Sequence, residues 1–179
     1  MTERCVLRPA RADEYEPVAA IKLDASRRYG EEYTTRPLPR DVFDKYVGSG
    51  SVVVAVTADD IPCGYSLAYD IDRDLYLRHL FVSHAFGQRG IGAALLRGVI
   101  DRAVGARNRA VTLTTGGNIP WNAPFYQRHG FAVLSEKMPE YLGVLLKAEI
   151  EHFSPENLPL VLKQPYLLPR VAMERLTAG

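Results

Sequence analysis

The sequence predicts an α/β fold: a single domain (residues 1–179) with a mixed central β-sheet and helices on both of its faces. Three strand-like runs joined by short turns, Ser51 to Thr57, Pro62 to Tyr69 and Leu75 to Val82, predict an antiparallel meander. A glycine-bearing loop, an amphipathic helix and a β-branched strand come next and predict a parallel βαβ unit. The length of 179 residues, 47% of them hydrophobic, fits one domain with a sizeable core.

Composition and charge narrow the classes of function. Lysine and arginine number 22 and aspartate and glutamate 21, so the net charge of +1 gives no electrostatic reason to expect a nucleic-acid partner. The two cysteines, Cys5 and Cys63, have no CxxC spacing and fit a reducing compartment. No signal-peptide pattern opens the sequence, and no apolar run approaches the ~20 residues that span a bilayer. We expect a cytoplasmic protein without a membrane partner.

The first predicted elements are a short strand and a helix. Cys5 to Arg8 predicts an edge strand that ends at Pro9. Asp13 is the expected N-cap of a helix that runs as far as Tyr29. The apolar face of that helix consists of Tyr15, Val18, Ala19 and Leu23.

A long connection follows this helix. Gly30 to Arg40 is polar and contains prolines, and Asp41 to Val47 allows one or two further helical turns. A connection of this length can be a mobile lid or a wall of a binding site, or it can be an ordinary surface crossing. The sequence leaves both alternatives open.

The stretch from Leu75 to Val104 contains the clearest functional signal. Its strand is followed by the loop Gly87-Gln88-Arg89-Gly90-Ile91-Gly92. Apolar residues then recur at helical spacing, namely Ile91, Leu95, Leu96, Val99, Ile100, Ala103 and Val104. The loop therefore lies at a helix N-terminus, where unpaired backbone N–H groups and the helix dipole attract anions. We expect a phosphate-bearing ligand to bind between strand and helix.

The remaining elements complete the sheet. Arg109 to Thr115 predicts a strand parallel to Leu75–Val82, with the helix as its crossover. The following segments predict, in order, a loop (Gly116 to Pro120), a short helix (Trp121 to His129) with a stop at Gly130, a strand (Phe131 to Leu134), a helix (Pro139 to Phe153), a proline-rich connection (Ser154 to Pro169) and a last strand (Val171 to Leu176). The helix after Pro139 is expected to pack Leu142, Leu145, Leu146 and Ile150.

A second motif accompanies the glycine loop. Asn118 to Phe131 reads NIPWNAPFYQRHGF. The loop alone is weak evidence of function, because it is not a Walker A motif and lacks the third glycine of a dinucleotide fingerprint. Taken together, the strand, loop, helix and second motif resemble the GNAT superfamily of N-acetyltransferases. In that family the loop reads Gln or Arg, two residues, Gly, one residue, then Gly or Ala, which Gly90 and Gly92 match and Gly87 does not.

The resemblance implies a GNAT-like sheet and acetyl-CoA as cosubstrate, with no metal. The backbone of Phe81 and Val82 would pair with the pantetheine arm, and Asn122 would contact the cofactor. The pyrophosphate would be bound by the loop and the first helical turn, that is by Gln88, Arg89, Gly90, Ile91, Gly92 and Ala93. The spacing of the histidines independently argues against a metal site, since His84, His129 and His152 do not form a ligand set.

The resemblance also gives Tyr126 a catalytic role, in which its hydroxyl protonates the departing thiolate. A phenol with a pKa near ~10 is protonated at neutral pH and can donate that proton. The alternative is a tyrosine that only packs in the core.

The general base is less defined, because Tyr76 and Arg78 occupy the strand positions where many members of the family carry Glu or His. His79 is the nearest candidate, although strand alternation points it to the opposite face, which favours a structural histidine. Glu31 and Glu32 are alternatives, acting directly or through water. A chain of ordered water is a further one.

The predicted acceptor-binding residues are Tyr76, Arg78 and Glu31. The guanidinium of Arg78 suits a substrate carboxylate, which would favour an amino acid or another small zwitterion. The commoner use of such a charge is an internal salt bridge. Three nearby aspartates offer one, namely Asp70, Asp72 and Asp74.

The predicted function is the direct transfer of an acetyl group from acetyl-CoA to the primary amine of a small molecule, with no nucleic-acid or membrane partner. Two alternatives stand beside it: acetylation of a protein N-terminus or lysine, and a regulatory module that binds acyl-CoA without turnover. Transfer of a longer acyl group also remains open. Residues 139–169 either close the acceptor site or form a homodimer contact.

Overall fold

The computed structural model describes residues 5–29, 36–135, 137–152 and 170–177. In chain order its elements are β1 (Val6–Pro9), α1 (Tyr15–Ala25), α2 (Arg40–Val47), β2 (Val52–Val56), β3 (Pro62–Ile71), β4 (Asp74–Val82), α3 (Ile91–Gly105), β5 (Ala110–Gly116), α4 (Ala123–Gln127), β6 (Ala132–Val133), α5 (Glu140–His152) and β7 (Arg170–Leu176). The strands form one seven-stranded sheet in the order β1-β2-β3-β4-β5-β7-β6. Both parallel and antiparallel pairs occur, which confirms the predicted α/β class with a mixed sheet.

The chain forms two compact units, each of which we describe separately. The first consists of Met1–Tyr69 and Leu77–Arg102, and the second of Asp70–Tyr76 and Ala103–Gly179. In the first, β1 pairs with β2 and β2 with β3, both antiparallel. In the second, the start of β4 pairs in parallel with β5, as the predicted βαβ unit requires. β7 pairs antiparallel with both β5 and β6.

Helices cover both faces of the sheet in the first unit because β2 is apolar on both sides. Val52, Val54 and Val56 belong to a core cluster that also contains side chains of α1 and α2. Ala55, one residue out of phase, belongs to a second cluster with Ile91 and Leu95 of α3. The alternation of a strand thus sends its side chains to two separate helical layers.

A buried aspartate organises the second unit. Asp74, at the start of β4, is 2% exposed and accepts hydrogen bonds from Arg109 Nε at 2.9 Å and Nη2 at 2.7 Å. The Tyr141 hydroxyl of α5 donates a further bond of 2.8 Å to Asp74. Arg109 also pairs with Glu174 of β7 at 3.1 Å. Because the buried charge is paired and hydrogen-bonded, it is tolerated in the core.

Three details of the predicted helices are wrong. Asp13 is not an N-cap: it lies in a 3-10 turn, Ala12–Glu14, which forms because the Glu14 carboxylate accepts the Arg11 backbone N–H at 2.7 Å. Leu23 and Ile150 were expected to pack, but they are 43% and 44% exposed. Both lie in the last turns of their helices, where the apolar stripe rotates away from the core.

The last predicted elements agree with the structure where it describes them. α5 ends at His152, and β7 extends the predicted strand by one residue to Arg170. The predicted proline-rich connection, Ser154 to Pro169, lies outside the described residues. Within the described ranges, no helix is long and apolar enough to cross a membrane, and no cluster of three or more His, Cys, Asp or Glu side chains is suited to a metal ion.

Candidate active site

The connection between β4 and α3 contains the predicted anion-binding loop. It begins with a 3-10 turn, His84–Phe86. Gln88 and Gly90 have φ angles of 60° and 80°, in the left-handed region that glycine adopts without strain. Both are exposed, and the Arg89 guanidinium lies 5.2 Å from the centre of the Phe86 ring. These two left-handed residues turn the chain sharply into the helix.

Helix α3 begins where the loop ends. The first residue, Ile91, is buried, whereas Gly92 and Ala93 are half-buried. The first hydrogen bond of the helical i to i−4 pattern runs from the Ala94 N–H to the Gly90 carbonyl, at 3.0 Å. The earlier N–H groups of a helix have no acceptor within it, so they are available to an anion. That Gln88 to Ala93 bind a cofactor stays a prediction.

Gly64 of β3 lies directly behind this helix end and was not singled out from the sequence. A Cβ at this position would lie 3.1 Å from the Phe81 carbonyl oxygen and 3.2 and 3.3 Å from side-chain carbons of Leu95 and Ile91. The missing side chain therefore lets α3 pack closely against the end of β4. A glycine inside a strand pattern is the sequence signal that could have identified it.

Asp24 of α1 fixes the first residues after β4. Its carboxylate accepts the Ser83 hydroxyl and, at 2.7 Å, the backbone N–H of His84. The hydrogen bond from Ser83 is the main reason that the Asp24 pKa lies below its usual value, although partial burial opposes the effect. No local sequence pattern predicts such a contact, because the partners are far apart in the chain.

His79, the candidate base, lies half-buried on β4. Its Nδ1 shares a 3.1 Å hydrogen bond with the hydroxyl of buried Tyr65, and its ring lies 5.5 Å from that of Phe81. Burial, together with the positive charges of Lys22 and Arg78, lowers the pKa of His79 to about 3. The ring is therefore neutral at physiological pH and accepts a proton weakly. This environment fits the structural role that was the alternative.

Arg78 is exposed, and the internal salt bridge favoured for it from the sequence is not present among the described residues. Asp74 instead pairs with Arg109, the residue before β5, and Asp70 accepts a 2.9 Å hydrogen bond from Asn108. The pairing was expected because these aspartates are close to Arg78 in the sequence. In the structure, Asp74 and Asp70 are bound by Arg109 and Asn108, which lie just before β5.

Tyr76, another predicted acceptor residue, is 3% exposed, and its hydroxyl lies 3.1 Å from Thr114 Oγ1. Its ring therefore packs in the second unit. Glu31, the third predicted acceptor residue, and Glu32 lie outside the described residues. Their predicted roles stay predictions.

The second motif forms α4 in the second unit. The side-chain amide of Asn122 donates to Thr115 Oγ1 at 3.1 Å, and the Tyr126 N–H donates to the Asn122 carbonyl at 3.2 Å. The half-buried Tyr126 ring lies edge-on to Phe125 and Phe131, with ring centres 5.2 and 5.7 Å away. The ring is thus held by packing, which would orient its hydroxyl.

Known proteins are similar to this chain in both sequence and fold. A sequence model of the family described as acetyltransferase (GNAT) domain matches residues 48–133, a range that includes both motifs. The fold is similar to PaiA N-acetyltransferase from Thermoplasma acidophilum, solved in complex with coenzyme A (TM-score 0.69, 12% identity, 97% of this chain and 99% of that chain). It is also similar to Rv2747 from Mycobacterium tuberculosis, solved with CoA (0.66, 17%, 97% and 99%).

A third similar structure is that of N-acetylglutamate synthase from Neisseria gonorrhoeae, complexed with coenzyme A and N-acetyl-glutamate. The TM-score is 0.64 at 15% identity, and the match covers 98% of this chain but 36% of that one. At such identities the similarity establishes the fold, and the sequence model adds that residues 48–133 are similar to an acetyltransferase domain. More specifically, residues 48–133 match the GNAT acetyltransferase domain, which confirms the resemblance that the two motifs predicted.

Proposed function

We propose that the protein is an N-acetyltransferase that moves the acetyl group of acetyl-CoA directly onto the primary amine of a small molecule. The observation that carries this proposal is the left-handed loop that leads into the open first turn of α3. Coenzyme A in the similar structures named above supports the choice of cosubstrate.

The loop and the helix end are the proposed cradle for the pyrophosphate. The N–H groups of Gly90 to Ala93 would bind its oxygens, and the side chains of Gln88 and Arg89 would add donors. The backbone of Phe81 and Val82 would pair with the pantetheine arm as an added strand does. Asn122 would contact the cofactor through its side chain.

The reaction requires one bond to form and one to break. The neutral amine attacks the thioester carbonyl, a C–N bond forms, and the C–S bond breaks as the tetrahedral intermediate collapses. The nitrogen loses one proton, and the leaving thiolate gains one. We propose that the Tyr126 hydroxyl donates the latter, since a phenol holds its proton at neutral pH.

The proton on the incoming amine needs a different acceptor. His79 remains the residue predicted for this role, but the pKa of about 3 makes it a weak base near neutral pH. Transfer to solvent, directly or through the carboxylates of Glu31 and Glu32, is the alternative that this pKa favours. Replacement of His79 by Gln should lower turnover by about 100-fold or more if His79 is the base.

The first prediction tests the role of Tyr126. Removal of the hydroxyl in Tyr126→Phe should lower kcat by about 100-fold, because the thiolate loses its proton donor, with coenzyme A affinity nearly unchanged. Thiol release from acetyl-CoA and calorimetric titration with coenzyme A measure the two quantities. Tyr46→Phe is the matched control, since the Tyr46 ring stacks on Tyr69 in the first unit. Full activity of Tyr126→Phe would exclude the acid role.

An acceptor screen with acetyl-CoA distinguishes the proposal from its alternatives. Turnover with free amines supports a small-molecule acceptor, whereas turnover restricted to peptides favours acetylation of proteins. Coenzyme A binding without thiol release on any amine or peptide would identify a binding module instead.

A further inference from the structure

A cavity of about 230 Å³ lies in the first unit, between α3 and the face of the sheet that α3 covers. Its walls include Leu7 of β1, Val53 of β2, Ser66 and Ala68 of β3, and Leu95 and Val99 of α3. Leu7 and Val53 also pack in the core cluster of Leu95, which places them on the α3 side of the sheet. Exposed Pro9 belongs to the wall too, so the cavity opens to solvent on that side.

The two cations in the wall are bound to protein acceptors. Arg8 pairs with the Glu14 carboxylate at 2.6 Å, and the Arg102 guanidinium donates a 3.0 Å hydrogen bond to the Ala68 carbonyl. The rest of the wall is mostly leucine, valine, proline and alanine. A charged ligand would lose its hydration without gaining an unpaired counter-ion here, so the cavity suits an uncharged one.

Ser66 is the polar side chain of the wall that is left without a partner. It is 2% exposed, and its hydroxyl makes no hydrogen bond within the part of the chain that the structure describes. The other serine of the wall, Ser51, shares a 2.9 Å hydrogen bond with Ser49. Strand alternation points Ser66 towards α3, since its neighbours Tyr65 and Leu67 pack in the core cluster on the opposite face. Because a buried hydroxyl without a partner is costly, Ser66 marks the point where a bound molecule would be hydrogen-bonded.

Ordered water is a poor occupant for most of this space. A buried water needs about two to four polar partners, and the apolar part of the wall offers none. An empty cavity of this size would cost its lining van der Waals contacts, which a ligand would restore. Since an apolar cavity of about 150 Å³ holds benzene, the volume here suits a somewhat larger molecule.

We propose that this cavity binds a small uncharged molecule with an apolar body and one hydroxyl group, at a site separate from the cradle proposed for coenzyme A. A ligand hydroxyl can donate to the Ser66 hydroxyl or accept from it. The inference does not depend on the proposed acetyl transfer. It does concern the same helix, because Leu95 lines the cavity and packs with Ile91, the first residue of α3.

The test uses p-cresol and p-xylene, which differ only in that a hydroxyl replaces a methyl group. Titration followed by NMR should show that the wild type binds p-cresol about 3- to 10-fold more tightly, the effect of one net hydrogen bond. Ser66→Ala should remove or reverse this preference, because the p-cresol hydroxyl loses its partner while the apolar wall remains. Ser26→Ala is the matched control: Ser26 is also buried, but its hydroxyl donates to the Leu23 carbonyl, and the preference should stay.

A second variant tests the location. Ala68→Leu enlarges a side chain on the same face of β3 as Ser66 and should weaken both probes by about 10-fold or more, because it fills the cavity. If this variant does not fold, the Ser66→Ala comparison decides alone. Saturation with coenzyme A should leave p-cresol bound. The proposal is overturned if the wild type does not bind p-cresol, if Ser66→Ala keeps the preference, if folded Ala68→Leu binds both probes as before, or if coenzyme A displaces p-cresol.

Discussion

The depressed pKa of Lys22 has a consequence for the pH dependence of stability. An unfolded lysine has a pKa of 10.5, and burial, together with the charge of Arg78, lowers the pKa of Lys22 to about 8 in the folded chain. Between these values the unfolded chain holds a proton that the folded chain has released. Stability therefore rises as the pH rises through this window, and the charged form is a burden at neutral pH.

The residue-scale prediction follows from this sign. Lys22→Met, which keeps the apolar stem, should stabilise the protein at pH 7 by about 1–2 kcal/mol after allowance for solvent screening. Thermal unfolding between pH 7 and pH 10.5 measures the effect. The wild type should gain stability over this range relative to the variant, so the two curves converge. Lys147→Met, at an exposed position on α5, is the control, and a constant gap at all pH values would refute the assignment.

At the scale of elements, the junction of β4 and α3 depends on two contacts from other elements. Gly64 of β3 leaves room for the helix, and Asp24 of α1 binds the residues after the strand. The position of the helix end therefore depends on the packing of β3 and α1 as well as on the loop. The geometry of the loop is a property of the whole first unit, not of the glycines alone.

Replacement of Gly64 by Ala tests this dependence. The new methyl group would approach the Phe81 carbonyl to 3.1 Å, so β4 or α3 must shift. We expect a loss of about 1–3 kcal/mol in unfolding free energy and weaker coenzyme A binding. Urea denaturation and calorimetry measure the two effects. Gly48→Ala, where a Cβ meets nothing within 4 Å, should change neither. Wild-type affinity in Gly64→Ala would show that the helix end tolerates the shift.

At the scale of the whole molecule, the elements were largely predictable and their long-range partners were not. Hydrophobic periodicity gave β4, the loop and α3, because these features depend on neighbouring residues. Periodicity did not predict the ion pair of Asp74 with Arg109, because the spacing of charges along the chain suggested Arg78 as the partner.

The network around Asp74 provides a prediction at this scale, because it links the start of β4, the residue before β5, β7 and α5 within the second unit. Asp74→Ala should lower the unfolding free energy by about 1–3 kcal/mol, since Arg109 and the half-buried Tyr141 lose their acceptor. Urea denaturation measures it. Asp44→Ala removes the exposed pair with Arg40 and should cost less than ~1 kcal/mol. Similar losses in both variants would contradict the central role of Asp74.

The position of β7 bears on how the protein is made. This strand comes last in the described chain, yet it lies between β5 and β6 in the sheet. During synthesis, β5 and β6 emerge from the ribosome with their shared neighbour still to be translated, so the ladder on that side cannot close until Leu176 is available. Such distant pairing slows folding and leaves strand edges exposed in the meantime, and an exposed strand edge is a place where another chain can pair.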